Sequence, residues 1–255
     1  MNTPNYDGKA AGGVNTAFCI YNNDLYTFIG QKVYRFNYAK NEFVFCLTLP
    51  DSDGNIRFAR AYMGKLWIFV NNSGLYKIDM STFKIEGHYT LLTDYEGNSL
   101  RTFYIDKKGY IWFGTIDGIY IFDPTDGKLS HYKHSRTDPF SLPNNSIWEI
   151  SEDRQSNVWI GTYSGTLCYV NIDENNAFKT YHPQNSGLNH TPVSAFAEDQ
   201  QYLWVGTEGG GINRMNKATG EFSYITSANS ITSNNIKSLI TDAGHNLWIL
   251  SLIHI

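Results

Sequence analysis

The chain has 255 residues, 42% of them apolar, enough for the core of one large domain or two small ones. Only 17% are charged and the net charge is −4, so the dense basic surface that phosphate binding requires is missing and nucleic acid is excluded as the main partner. Aromatic residues reach 15%, led by 18 Tyr, a usage that favours strands over helices.

In chain order, residues 1–14 read as a polar, flexible segment without the apolar stretch of a signal peptide. No later run approaches the roughly 20 apolar residues of a membrane helix. Both features fit a cytoplasmic chain or a piece of a longer one. From residue 15 an aromatic strand core recurs. It starts as Asp24-Leu25-Tyr26-Thr27-Phe28 and returns as Lys65-Leu66-Trp67-Ile68-Phe69 and Tyr110-Ile111-Trp112-Phe113-Gly114-Thr115. It then recurs as Asn157-Val158-Trp159-Ile160-Gly161-Thr162, Tyr202-Leu203-Trp204-Val205-Gly206-Thr207 and Asn246-Leu247-Trp248-Ile249. The spacings between the aromatic positions are 41, 45, 47, 45 and 44 residues, a period that means a repeat architecture.

Each repeat divides into four strand-like runs; in the fourth copy they are 147–152, 158–162, 167–172 and 178–182. Turns beginning at Asp106, Asp153 and Asp242 separate the first two runs. Ser73-Gly74, Asp117-Gly118, Ser164-Gly165 or Gly209-Gly210-Gly211 separate the next two. A four-stranded antiparallel meander in tandem is the blade of an all-β propeller. Blades are expected near 15–50, 56–92, 100–132, 147–182 and 193–225, with a partial blade at 236–249. That makes about five and a half blades, an incomplete ring, with 250–255 an atypical tail that reads as a truncation or junction. The repeat Trp residues are expected to pack between blades. Cys19, Cys46 and Cys168 show no metal or redox spacing. Cys19 and Cys46 fall on first and fourth strands, about 14 Å apart at the usual strand spacing, so free buried thiols are expected.

The core Asn-x-x-Trp-Ile-Gly-Thr-x-x-Gly, the Asp-Pro-x-x-Gly turn (Asp123 to Gly127) and the Ser-Leu-x-x-Asn-x-Ile link (Ser141 to Ile147) resemble the two-component-regulator propeller repeat over residues 15–249. The resemblance is strongest from the third blade onward. It implies the extracytoplasmic, periplasmic sensor of a hybrid two-component histidine kinase, a parent ring of about seven blades and a homodimeric receptor. It also implies an oligosaccharide ligand and no cofactor. The kinase would lie outside this chain, which is expected to be non-catalytic.

The residues themselves offer little catalytic chemistry. Gly209 to Gly211 reads as a turn rather than a phosphate loop. His131 and His134 lack a carboxylate cluster for a metal. Asp106, Asp123, Asp126, Asp153, Asp199 and Asp242 read as turn formers rather than acid–base pairs. A sialidase-type Asp box fails on spacing. A propeller lyase remains open if His134 or His190 meets a carboxylate, and a protein-interaction scaffold if a large apolar patch is exposed.

One column does vary in an informative way. The second residue of each first strand reads Arg57, Arg101, Trp148, Ser194 and Lys237, behind apolar Ile56, Leu100, Ile147, Val193 and Ile236. These positions are expected at one mouth of the central channel. Guanidinium forks suit a carboxylate or sulfate and an indole face suits a sugar ring, so the column reads either as the site of an anionic oligosaccharide or as solvated rim residues and blade–blade packing. Asn71, Asn72, Asp117, Tyr163 and Glu208, in the second-to-third-strand turns, are expected to open on the same face.

Overall fold

The computed structural model describes residues 5–6, 9–10, 18–50, 54, 56–93, 99–163, 166–171, 175–181, 184, 186–244 and 246–252. They belong to two compact units, Met1–Ser99 and Leu100–Ile255. Every regular element among them is a strand. No helix among them is long and apolar enough to cross a membrane.

In the first unit, β1 (Asn5–Tyr6) and β2 (Lys9–Ala10) precede a meander of β3 (Phe18–Tyr21), β4 (Asp24–Ile29), β5 (Lys32–Asn37) and β6 (Glu42–Thr48). The sheet order is β2-β1-β6-β5-β4-β3. Residues 5–6 and 9–10, expected to be strand-free, thus extend this blade. The outer backbone edge of β6 is open, and β1 pairs with it in parallel at Tyr6 and Phe43. A second meander follows: β7 (Ile56–Tyr62), β8 (Lys65–Val70), β9 (Gly74–Asp79) and β10 (Ile85–Tyr89). Alternating apolar positions of the two sheets, among them Phe28, Val33, Leu66, Ile68 and Ile78, make one buried core. Cys19 and Cys46 sit on the first and fourth strands of one meander, and both thiols are free.

The second unit repeats the plan. Its first blade has β11 (Thr102–Ile105), β12 (Ile111–Thr115), β13 (Gly118–Asp123) and β14 (Lys128–Tyr132). The next has β15 (Ile147–Glu152), β16 (Val158–Thr162), β17 (Leu167–Asn171) and β18 (Asn175–Tyr181). Then come β19 (Val193–Glu198), β20 (Tyr202–Thr207), β21 (Ile212–Asn216) and β22 (Phe222–Ile225), and finally the pair β23 (Ile236–Thr241) and β24 (Leu247–Ser251). Each complete blade is a four-stranded antiparallel sheet in sequence order, the propeller meander. Below, blades are numbered in chain order through both units. Leu250 and Ser251, placed in the atypical tail by sequence, continue β24 opposite Ser238 and Ile236. The expected turn at Ser164-Gly165 and the tail residues Ile253 to Ile255 lie outside the described residues.

The Trp-x-Gly-Thr core is a packing device. A Cβ on Gly114 would stand 2.7 Å from Ile147 Cγ2, on Gly161 2.8 Å from Val193 Cγ1, and on Gly206 2.6 Å from Ile236 Cγ2. In each case the glycine admits the β-branched residue that opens the next blade. Trp112 and Trp159 are buried, as expected. Trp248 is not: it is 62% exposed, because β24 has no third strand paired against it among the described residues.

The Asp-initiated turns do more than reverse the chain. Asp153 Oδ1 accepts the amides of Gln155 and Asn157, each at 2.9 Å, while Oδ2 accepts the Trp159 indole N–H at 2.8 Å. Asp106 holds Trp112, Asp199 holds Trp204 and Asp242 holds Trp248 in the same way, at 2.8, 2.9 and 2.8 Å. The turns also clamp neighbouring blades. The Lys107 amide donates to Glu152 Oε2 at 2.7 Å, and the Arg154 amide donates to Glu198 at 3.1 Å. Burial raises the Asp106 carboxyl against the pull of the Trp112 indole and turn amides. Burial raises the Asp199 carboxyl, but the Tyr202 and Gln201 amides, the Trp204 indole and Lys217 together bring it below its ordinary value.

Candidate ligand-binding rim

The variable column has a backbone cause. Ile147 pairs with Thr162 and Glu149 with Gly161, so Trp148 is left out of the ladder. Ser194 is skipped between Val193 and Ala195, Lys237 between Ile236 and Ser238, and Arg57 between Ile56 and Phe58. Each is the extra residue of a β-bulge, a device that bends a strand and re-aims one side chain. Arg101 occupies the same position just before β11, its amide donating to Gly114 O at 2.8 Å. The apolar residue ahead of each bulge is fully buried, which anchors it: Ile56, Leu100, Ile147, Val193 and Ile236 are at most 1% exposed.

Within the second unit, three of the expected residues meet. The Arg101 guanidinium carbon lies 5.0 Å from the Trp148 ring centroid and 5.8 Å from that of Tyr163. The two rings are 5.5 Å apart and inclined by 28°. Tyr163 is fixed at the turn by its amide, which donates to Ser146 O at 2.9 Å. Arg101 makes no ion pair among the described residues, so its charge faces outward from a two-ring platform.

The remaining rim residues are engaged differently. Lys237 Nζ pairs with Glu208 Oε1, so this cation and this turn carboxylate neutralise each other. Asp117 pairs with Lys133 at 2.6 Å, and its carbonyl is held by His131 Nε2 at 2.8 Å. His131 in turn stacks on Tyr120 with centroids 3.7 Å apart. Ser194 is buried and donates to Ile236 O at 2.7 Å, a tie between blades rather than a rim group. Arg57 belongs to the first unit, exposed, with its guanidinium 5.9 Å from the Phe58 ring. Of the turn positions in that unit, Asn71 buries its Oδ1 without a partner among the described residues.

The two histidines on which acid–base chemistry would depend have other occupations. His134 Nδ1 sits 2.7 Å from the Leu142 carbonyl, and the His190 ring packs on Gly209 and Gly210. No group of three or more His, Cys, Asp or Glu is arranged to hold a metal ion among the described residues. The bulge and the carboxylate–indole bond were not anticipated from sequence. The invariant step of one apolar residue before each variable one signals the first. The Asp placed five or six residues before Trp112, Trp159, Trp204 and Trp248 signals the second.

Comparisons with known proteins agree with this architecture. The family model described as "Two component regulator propeller" matches residues 94–117 and 141–164, which include Arg101, Trp148 and Tyr163. A histidine kinase of Formosa agariphila is 36% identical over 242 residues, which is 87% of this chain but only 17% of that protein. Two structures of extracellular domains from B. thetaiotaomicron, described as belonging to a one-component and a hybrid two-component system, share the fold. Their TM-scores are 0.70 and 0.69 at 22% identity, covering 96% of this chain and 33% and 32% of theirs. The chain thus has the propeller fold, and residues 94–117 and 141–164 within it match the two-component-regulator propeller repeat.

Proposed function

We propose that this chain is a ligand-sensing, non-catalytic part of an extracytoplasmic two-component receptor, and that its ligand is an oligosaccharide bearing an anionic group. The likeness to a histidine kinase supports the receptor reading. One observation carries the ligand: Arg101 lies over Trp148 and Tyr163 with no carboxylate partner among the described residues. A guanidinium without a counter-ion can take a carboxylate or sulfate through paired N–H donors. Two inclined rings beside it, Tyr163 exposed and Trp148 half-buried, offer apolar faces to the C–H side of a sugar. Lys237, expected to share this work, already has Glu208 as its counter-ion, so the binding charge centres on Arg101. In the receptor, periplasmic location, a second copy and the remainder of the chain would convert occupancy into a signal.

Calorimetry with uronate-containing or sulfated oligosaccharides, and neutral ones of equal length, tests this. Arg101→Ala and Trp148→Ala should each weaken binding of the anionic ligands by roughly tenfold or more. Lys237→Ala should change it little. Unchanged binding in both Arg101 and Trp148 variants, or equal affinity for the neutral ligands, would overturn the proposal.

A further inference from the structure

The groove between the fourth and fifth blades forms a cavity of about 470 Å³ at the opposite strand ends from the rim. It opens where the β15–β16 and β21–β22 turns lie. The six residues of β15 separate it from Trp148's end of the strand, about 17 Å at the usual rise per residue. Its volume is in the range of small-molecule sites, roughly 300–1,000 Å³.

Three rings make one wall. Trp159 and Tyr169 have centroids 4.7 Å apart, Trp159 and Tyr181 5.9 Å, and Tyr169 and Tyr181 6.2 Å. Their planes are inclined to one another by only 29–37°. Trp159 is the buried floor, while Tyr169 and Tyr181 are half-buried. At the mouth stand side-chain amides: Gln155 and Asn157 from the β15–β16 turn, Gln201 from the β19–β20 turn.

The frame is rigid. Asn157 is tied to Asp153 Oδ2 at 2.9 Å, and the Lys217 amide donates to Gln201 O at 3.0 Å. The charges are already spent. Lys217 Nζ binds Glu198 at 2.5 Å and the Asp199 carbonyl at 2.8 Å, and Asp153 serves its own turn and Trp159. The matching groove of the third blade is smaller, about 280 Å³, and carries Ile121 where this one has Tyr169.

We propose that this groove is a second binding site, for a neutral saccharide ring, independent of the anionic platform at the rim. Ring faces receive the C–H side of the sugar, and the Gln155 and Gln201 amides, donor and acceptor at once, receive its hydroxyls. A charged ligand would find no unspent counter-charge among these lining groups.

Saturation-transfer NMR on the full chain with methyl β-glucopyranoside and cellobiose, with glucuronate and a proline-rich peptide as comparators, tests the site. The neutral sugars should bind saturably in the millimolar range. Tyr181→Ala and the surface double variant Gln155→Ala/Gln201→Ala should each weaken them by roughly tenfold. Arg101→Ala should leave them unchanged. The double variant alters exposed side chains only, so its result stands even if Tyr181→Ala unfolds the blade. The proposal is overturned by absence of saturable neutral-sugar binding, by binding that survives the double variant, or by capture of the peptide alone. Loss of neutral-sugar binding in Arg101→Ala would also overturn it and assign the sugar to the rim. Failure of uronate binding at the rim leaves these readouts unaffected.

Discussion

The carboxylate–indole bond can be weighed by comparing two copies that differ in burial. Asp153 is 3% exposed and serves four donors: the amides of Gln155 and Asn157, the Asn157 side chain and the Trp159 indole. In Asp153→Ala the two turn amides lose their acceptor at a partly exposed turn, costing about 0.5–1.5 kcal/mol each after water replaces it. The Trp159 indole N–H, in a side chain 3% exposed, has no such replacement, and a buried unsatisfied donor costs a further ~1–3 kcal/mol. The expected total is about 2–6 kcal/mol, with the upper end reached if the turn itself loosens. Asp242 makes the same set of bonds to Gly244, Asn246 and Trp248, but Trp248 is 62% exposed, so water can take over and Asp242→Ala should cost much less. Urea unfolding followed by fluorescence, with hydrogen exchange at the two indole N–H groups, measures both. A loss below about 1 kcal/mol for Asp153→Ala, or equal losses for the two variants, would refute the view that burial of the indole donor sets the cost.

Three further outcomes are expected. Gly161→Ala should destabilise by about 1–3 kcal/mol through collision with Val193, and adding Val193→Ala should recover part of that loss, whereas strictly additive losses would speak against the contact. The Asp242 carboxyl is pulled down to about 2 from 3.8 by the Trp248 indole, then by the Asn246 side chain and amide; its stabilising effect is therefore complete above 3.8 and lost as pH falls through 2. The Trp248 indole N–H resonance should titrate with a midpoint near 2, and one at or above 3.8 would contradict the bond. Finally, a maleimide at neutral pH should modify Cys46 ahead of Cys19, whose thiol burial pushes up to about 11, and leave the fully buried Cys168 untouched in the folded chain; equal rates would be incompatible with this burial.

Much of the fold was legible because a repeat multiplies weak signals. One Trp-x-Gly-Thr says little, but several at a near-constant period fix the strand order of every blade, and β15, β16 and β17 lie within one residue of their expected ends. The pairing of β1 with β6 was illegible, since a two-residue strand carries no periodicity and is created by the open edge it meets. Trp248 shows the limit of reading by motif: the same residue at the same repeat position is floor in one blade and surface in another, because burial depends on which strands lie beside it. At the rim, sequence placed Arg101, Trp148 and Lys237 at equivalent positions but could not tell that Glu208 is spoken for by Lys237. That pairing joins residues 29 apart, and neither local pattern nor charge count reveals it.

The division of labour along the repeat follows from these contacts. Positions that recur have structural partners that recur: Asp with indole, glycine with the β-branched residue of the next blade, turn amide with the Glu that ends the next first strand. The bulged position recurs in backbone only. Its side chain is a buried tie at Ser194, half of an ion pair at Lys237 and an aromatic plate at Trp148, and the equivalent Arg101 is a cation without an ion pair among the described residues. A bulge needs an extra residue but does not dictate which, so the side chain at this position differs from blade to blade. An exposed guanidinium over rings is held by only about 0.5–1 kcal/mol. Binding an anion can therefore redirect Arg101 at small cost while the two rings stay in place. Recognition built on the bulges would thus exchange ligands by changing single residues, with the carboxylate–indole and glycine contacts keeping the scaffold constant beneath them.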